Sequence, residues 1–190
     1  MSTLLAGLVL FLGIHSVAML APGLRDRLAA SLGSGPWKGL YAIIATIGLI
    51  LVVRGFIPAR AVATTLYIPT APMRWAAIAL MAVVFPCLCS AYLPGRIRTA
   101  LQHPMLVATA LWAVAHLLAN GSSADALLFG SLLAWAVAQG FSVQQRASRP
   151  MAMAPAGRFN DLLAVVLGLG SYAIFIGGLH RLLFGVAPFG

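Results

Sequence analysis

Glutamate is absent from this chain, and aspartate occurs three times, at Asp26, Asp125 and Asp161. Mechanisms that need paired carboxylates are therefore hard to build. All three aspartates fall at predicted helix ends, which argues against a proton relay through a buried acid. Charged residues of both signs make up 8% of the chain, against about a quarter in a soluble domain. A water-soluble fold of this length would lack the polar residues to cover its surface. Cysteine is scarce too: Cys87 and Cys89 lie together in the apolar run WAAIALMAVVFPCLCS. A C-x-C spacing without further ligands suits no zinc framework, and small polarizable side chains are ordinary filling in a membrane helix.

What the chain does have is apolar length. Of its 190 residues, 62% are hydrophobic, and the mean hydropathy is +1.00. About 20 apolar residues cross a bilayer as a helix. The expectation is an all-α, polytopic transmembrane bundle of about six helices, forming a single integral membrane domain over residues 1–190. The spans read Thr3 to Ala21, Trp37 to Arg54 (tilting on to Phe56), Met73 to Leu93, His103 to Ala119 and Ala124 to Phe141. A sixth opens at Asn160-Asp161, where an N-cap and an acid at the positive helix end both fit. No Lys or Arg precedes the first span, so it reads as a retained helix and not a signal peptide. APGLRDRLAASLGSGPWK reads as a basic loop, IPARAVATTLYIPTAP as an interfacial loop with Tyr67 and Trp75 at headgroup level, and Ser122 or Ser123 as an N-cap.

The net charge of +9 would suggest nucleic acid in a soluble protein. Here the basic residues cluster between spans, so anionic lipid headgroups and topology explain them and nucleic acid is not expected. Arg25, Arg27, Lys38, Arg96, Arg98, Arg146, Arg149 and Arg158 fall in the first, third and fifth loops; Arg54, Arg60, Arg74 and Arg181 fall on the other side. The positive-inside rule then puts those loops in the cytoplasm and both termini outside.

With carboxylates so few, buried ligand or acid–base chemistry falls on His15, His103, His116 and His180. An ionisable group inside a span is costly and is a functional expectation by default. His103 and His116 bracket HPMLVATALWAVAH, 116 − 103 = 13 residues apart. On one helix that is roughly 140° in azimuth and about 20 Å along the axis, so they cannot share a metal. His103 precedes Pro104 and marks a helix entrance; it and His180, near span ends, suit bonds to neighbouring helices. His15, mid-span in FLGIHSV, and His116, deep in LWAVAHLL, form a plausible axial pair for haem, held between facing helices. Arginines at span ends, such as Arg25 and Arg54, would meet the propionates. Depth permits this pair without selecting it: the two differ by roughly 8 Å in a core of about 30 Å, and His180 suits His116 no worse.

FLGIHSV near the start, then PGRI, HPMLVATALWAVAHLLANG and a late GLH resemble the NnrU family of bacterial membrane proteins over nearly the whole chain. That resemblance implies a part in denitrification, supporting nitrite and nitric oxide reduction. The same block is similar to the zeta-carotene isomerases of plants and cyanobacteria, integral membrane enzymes that use haem b. Their pattern, an HS in the first helix and a later W-C-x-A-H, implies axial iron ligands at His15 and His116 here, with His180 and His103 as secondary candidates. One departure matters: the cysteine of that motif is Ala113 in this chain. A weaker kinship runs to membrane methyltransferases with an R-H-P motif, which here reads Gln102-His103-Pro104 and lacks the acids expected downstream.

The leading expectation is a haem b protein of the bacterial inner membrane with periplasmic termini, serving redox, sensing or assembly roles beside a denitrification membrane protein. The alternatives are a cis–trans isomerase taking a carotenoid-like polyene sideways from the lipid, and a non-catalytic assembly partner whose histidines are helix glue.

Overall fold

The computed structural model describes residues 1–145 and 153–188, so Arg146 and Arg149 of the fifth loop lie outside the described residues. The described chain is helical apart from its loops and one isolated bridge, Thr65 to Ser122. The helices are α1 (Ser2–Leu20), α2 (Pro22–Leu32), α3 (Ser34–Ala61), α4 (Ala71–Ser90), α5 (Arg96–Leu101), α6 (Pro104–Ala119), α7 (Ser123–Gln144), α8 (Asn160–Ile174) and α9 (His180–Phe184). A single π-helical turn, Phe175–Leu179, carries α8 into α9.

Among the described residues five helices are long and apolar enough to cross a membrane, taking Asn160–Phe184 as one, and Pro104–Ala119 is a shorter apolar helix. The six expected spans are thus five long helices and one of 16 residues. Large side chains such as Val9 (73% exposed), Ile57 (71%) and Leu182 (81%) point outward from them. Apolar surface of that extent belongs against lipid, and the chain is a multi-pass membrane protein.

Three local expectations are corrected. The basic stretch after α1 is a helix, α2, opened by Pro22 at its first position, where a missing N–H costs nothing. Span two runs on through Pro58 to Ala61. Pro58 falls in the last turn, where helix-breaking has little left to break. Asn160 and Asp161 do not cap α8, whose N-cap is Phe159 without a side-chain bond. Instead Asp161 accepts the N–H groups of Arg96 (2.9 Å) and Ile97 (3.0 Å), capping α5. Asn160 donates to the carbonyls of Pro94 (2.8 Å) and Pro155 (3.0 Å).

The chain divides into two compact units, Met1–Ile68 with Gly121–Arg146, and Pro69–Asn120 with Ala147–Gly190. The first holds spans one, two and five; the second holds three, four and six.

In the first unit α1 and α3 run antiparallel. Gly55 lies against Leu4, Gly7 against Val52 and Gly48 against Phe11, and a Cβ on these glycines would stand 2.5, 2.5 and 2.7 Å from the facing backbone nitrogens. Backbones that close need glycine, the usual device of membrane helix pairs. Helix α7 is antiparallel to α3, since Phe56 meets Phe129 (6.0 Å) and Arg60 meets Asp125 (3.5 Å). It therefore runs parallel to α1. Its start is pinned by Leu66 N–H and Tyr67 N–H donating to the Gly121 carbonyl (2.8 and 3.2 Å).

In the second unit α4 packs against both α6 and α8. Val84, Cys87 and Ala108 make its core, with Met81, Leu111 and Trp112 around them. Cys87 is thus a buried filler. Tyr172 ties α8 to α4 by donating to the Ile78 carbonyl at 2.8 Å.

Candidate functional site

His15 sits three-quarters along α1, half-buried among rings from all three spans of the first unit. Phe11 lies at 4.3 Å between centroids, Tyr41 of α3 at 5.3 Å and Trp135 of α7 at 5.8 Å, the last edge-on at 87°. The glycine seam between α1 and α3 sets this up, because close backbones bring Tyr41 within reach of α1.

The imidazole is in a defined tautomer. Nδ1 lies 2.7 Å from the Phe11 carbonyl oxygen. A carbonyl only accepts, so Nδ1 carries the proton and donates it. In the neutral ring Nε2 then keeps a lone pair, the form in which histidine ligates a metal, and the Nδ1–H bond orients the ring as outer-shell partners of metal ligands do.

On α7, one turn apart, two polar atoms are buried without a partner, the Nε1 donor of Trp135, whose ring is edge-on to His15, and the Oε1 acceptor of Gln139. An orphaned buried donor or acceptor costs roughly 1–3 kcal/mol. Within a membrane span there is no bulk water to relieve it.

The other histidines belong to the second unit. His116 is half-buried on α6, with Trp112 edge-on at 5.1 Å, and its carbonyl accepts both the backbone N–H (2.9 Å) and the side-chain N–H (3.0 Å) of Asn120. Trp112 reaches the core, so one side of this imidazole is fixed against packed residues. Ala113 is fully buried in the same turn. His180 closes the π-helical turn, between Phe175 (5.6 Å) and Phe184 (5.0 Å), and Nδ1–H donates to the Val186 carbonyl at 2.8 Å. His103 is the exposed N-cap residue of α6, whose carbonyl accepts from Leu106 and Val107, and its ring makes no cap bond. That is the helix entrance expected from Pro104.

Among the described residues no three of His, Cys, Asp and Glu gather where they could hold a metal ion. Such a donor set does not fit a bare ion. Of the arginines expected near propionates, Arg25 follows α1 and pairs with Asp26 at 2.8 Å, while Arg54 stands beside Gly55, against the start of α1. They occupy opposite ends of the first unit and cannot serve one edge of a porphyrin together.

Sequence reasoning missed a polar cluster at the far end of this unit. Ser122 and Asp125 form a capping box on α7, the hydroxyl receiving the Asp125 N–H (3.2 Å) and the carboxylate receiving the Ser122 N–H (3.1 Å). Asp125 is 1% exposed and meets Arg60 at 3.5 Å, whose guanidinium stacks over Phe56. Burial, and then the negative charge of Asp125, hold the Tyr67 phenol above its ordinary range. It also passed over Trp135 and Gln139, although a lone amide in span five, one turn from an indole, was a signal open to inspection.

A family model described as NnrU protein matches residues 3–188. No curated protein and no solved structure matches the chain.

Proposed function

This chain belongs to the NnrU family, and on that footing we propose that it binds haem b, with His15 and His116 as the imidazoles that ligate iron. The observation that carries the reading is the Phe11 carbonyl bond to His15 Nδ1 at 2.7 Å. In the neutral ring it leaves the Nε2 lone pair free to ligate, in a span where an imidazole with no task would be a burden. When bound, the iron supplies a reversible one-electron couple. The chain's own residues orient the His15 ring through the Phe11 carbonyl and set aromatic rings beside both imidazoles.

A group held by two imidazoles would suit electron transfer, sensing or assembly, in nitrite and nitric oxide metabolism beside a membrane partner of that pathway. The protein lies in the bacterial inner membrane with periplasmic termini. Ala113, buried where the carotenoid isomerases carry cysteine, weighs against polyene isomerisation by any route through a thiolate.

The test is a visible spectrum of the protein purified in mild detergent, oxidised and then reduced with dithionite. The expected result is a sharp Soret band with resolved α and β bands on reduction. His15→Ala and His116→Ala each lose the low-spin signature while the protein still elutes as a folded species. A colourless protein even after haem is supplied during expression, or spectra unchanged in both variants, sinks the assignment and leaves the histidines as helix glue.

A further inference from the structure

Asp161 is the one acidic residue of the second unit, and its carboxylate is already engaged by the N–H groups of Arg96 (2.9 Å) and Ile97 (3.0 Å). Those bonds gather two arginines that stand 158 − 96 = 62 positions apart in the chain. Arg96 opens α5 at the bonded N–H itself, and Arg158 comes three residues before Asp161, within about 11 Å of chain. A third arginine of this end, Arg98, is taken up by the fold, since it donates to the Ala91 carbonyl. Arg96 and Arg158 are exposed, and among the described residues neither guanidinium has a hydrogen bond or an ion pair. Arg158 lies over the Phe159 ring at 4.5 Å, a contact that leaves its N–H groups open.

The surroundings say what meets these charges. Phe159 is exposed, and so is Tyr92, whose carbonyl accepts from Ala154 at 2.9 Å. Exposed rings beside arginines at the end of a span mark the headgroup level of a bilayer. Leu162, Leu163 and Val166 follow Phe159 at three, four and seven positions, which is one helical face of α8, and all three are exposed. A molecule on this corner of the unit meets positive charge at one end and an apolar face along the rest. A phosphodiester suits the guanidinium groups and acyl chains suit the helix. Inorganic phosphate would use the charges alone and leave the apolar face to something else.

We propose that Arg96 and Arg158 form a site for the headgroup of one anionic phospholipid, with an acyl chain along Phe159, Leu162 and Val166. Asp161 is a positioning residue: it holds the start of α5 on the start of α8 and so sets the spacing of the two arginines. The site owes nothing to the haem reading, and either stands if the other fails.

The experiment titrates phosphatidylglycerol, or phosphatidylcholine with the same acyl chains, into the full-length protein in mild detergent. Native mass spectrometry reads the first lipid retained. Phosphatidylglycerol is expected to bind about tenfold more tightly than phosphatidylcholine, and Arg96→Gln and Arg158→Gln each to weaken it about fivefold. Phosphatidylcholine binding stays as in the parent. Arg27→Gln, in the first unit, leaves both affinities unchanged. The double variant with lysine at both positions restores the charge and recovers most of the affinity. Equal retention of the two lipids, glutamine variants that match the parent, a loss as large in Arg27→Gln, or no recovery with lysine overturns the site. Inorganic phosphate that displaces phosphatidylglycerol at equal concentration overturns the lipid assignment, because the apolar face would then contribute nothing.

Discussion

At the scale of single residues, the first unit's chemistry depends on which polar atoms have partners. His15 has one, the Phe11 carbonyl, and this fixes its tautomer. Ser122 has one too, and its capping box is open to a direct test. Ser122→Ala removes the hydroxyl that receives the Asp125 N–H and should cost about 1 kcal/mol. The measurement is the thermal midpoint in detergent, which should fall. His15 was legible in sequence as a costly group in FLGIHSV. Its ring partners were not, since Tyr41 and Trp135 are 26 and 120 positions away and come together only by helix packing.

At the scale of elements, glycine decides how near α1 and α3 approach. Gly55→Val drives a branched side chain into the backbone at Leu4, where even a Cβ would stand 2.5 Å from nitrogen. Gly13 on α1 has nothing within 4 Å of such a Cβ. Gly13→Ala should therefore be neutral or slightly stabilising through helix propensity, while Gly55→Val should broaden or abolish the monodisperse elution peak. The capping of α5 is the second test of this kind. Asp161→Ala leaves the Arg96 and Ile97 N–H groups without their carboxylate and should loosen the start of α5. Amide hydrogen exchange at those two positions should quicken. The PGRI stretch, striking in composition only as a turn, has its glycine because a Cβ at Gly95 would press on the Asp161 carboxylate, 2.8 Å from its Cγ.

At the scale of the whole molecule, the basic residues predict an orientation that labelling can read. Ser31 lies on α2 in the first loop and Gly185 follows α9 near the C-terminal end; both are exposed. An impermeant maleimide applied to intact spheroplasts should label Gly185→Cys and reach Ser31→Cys only after lysis. The native Cys87 is buried and Cys89 half-buried within a span, so the background should be low. The reverse pattern would invert the topology and place the basic end of the first unit on the periplasmic side.

The number of spans, the helical class and the membrane setting were determined by the sequence alone, because they follow from the length and periodicity of apolar runs, which are local quantities. Helix starts with a local code, such as Ser122 three residues before Asp125, were equally open to reading. Tertiary structure decided the rest. The division of spans into one, two and five against three, four and six, the cap that Asp161 gives to α5 from 65 residues away, and the orphaned atoms of Trp135 and Gln139 all arise from packing between distant segments. Apolar periodicity marks which stretches leave water, but it carries no register between helices, and register is what puts a donor beside an imidazole.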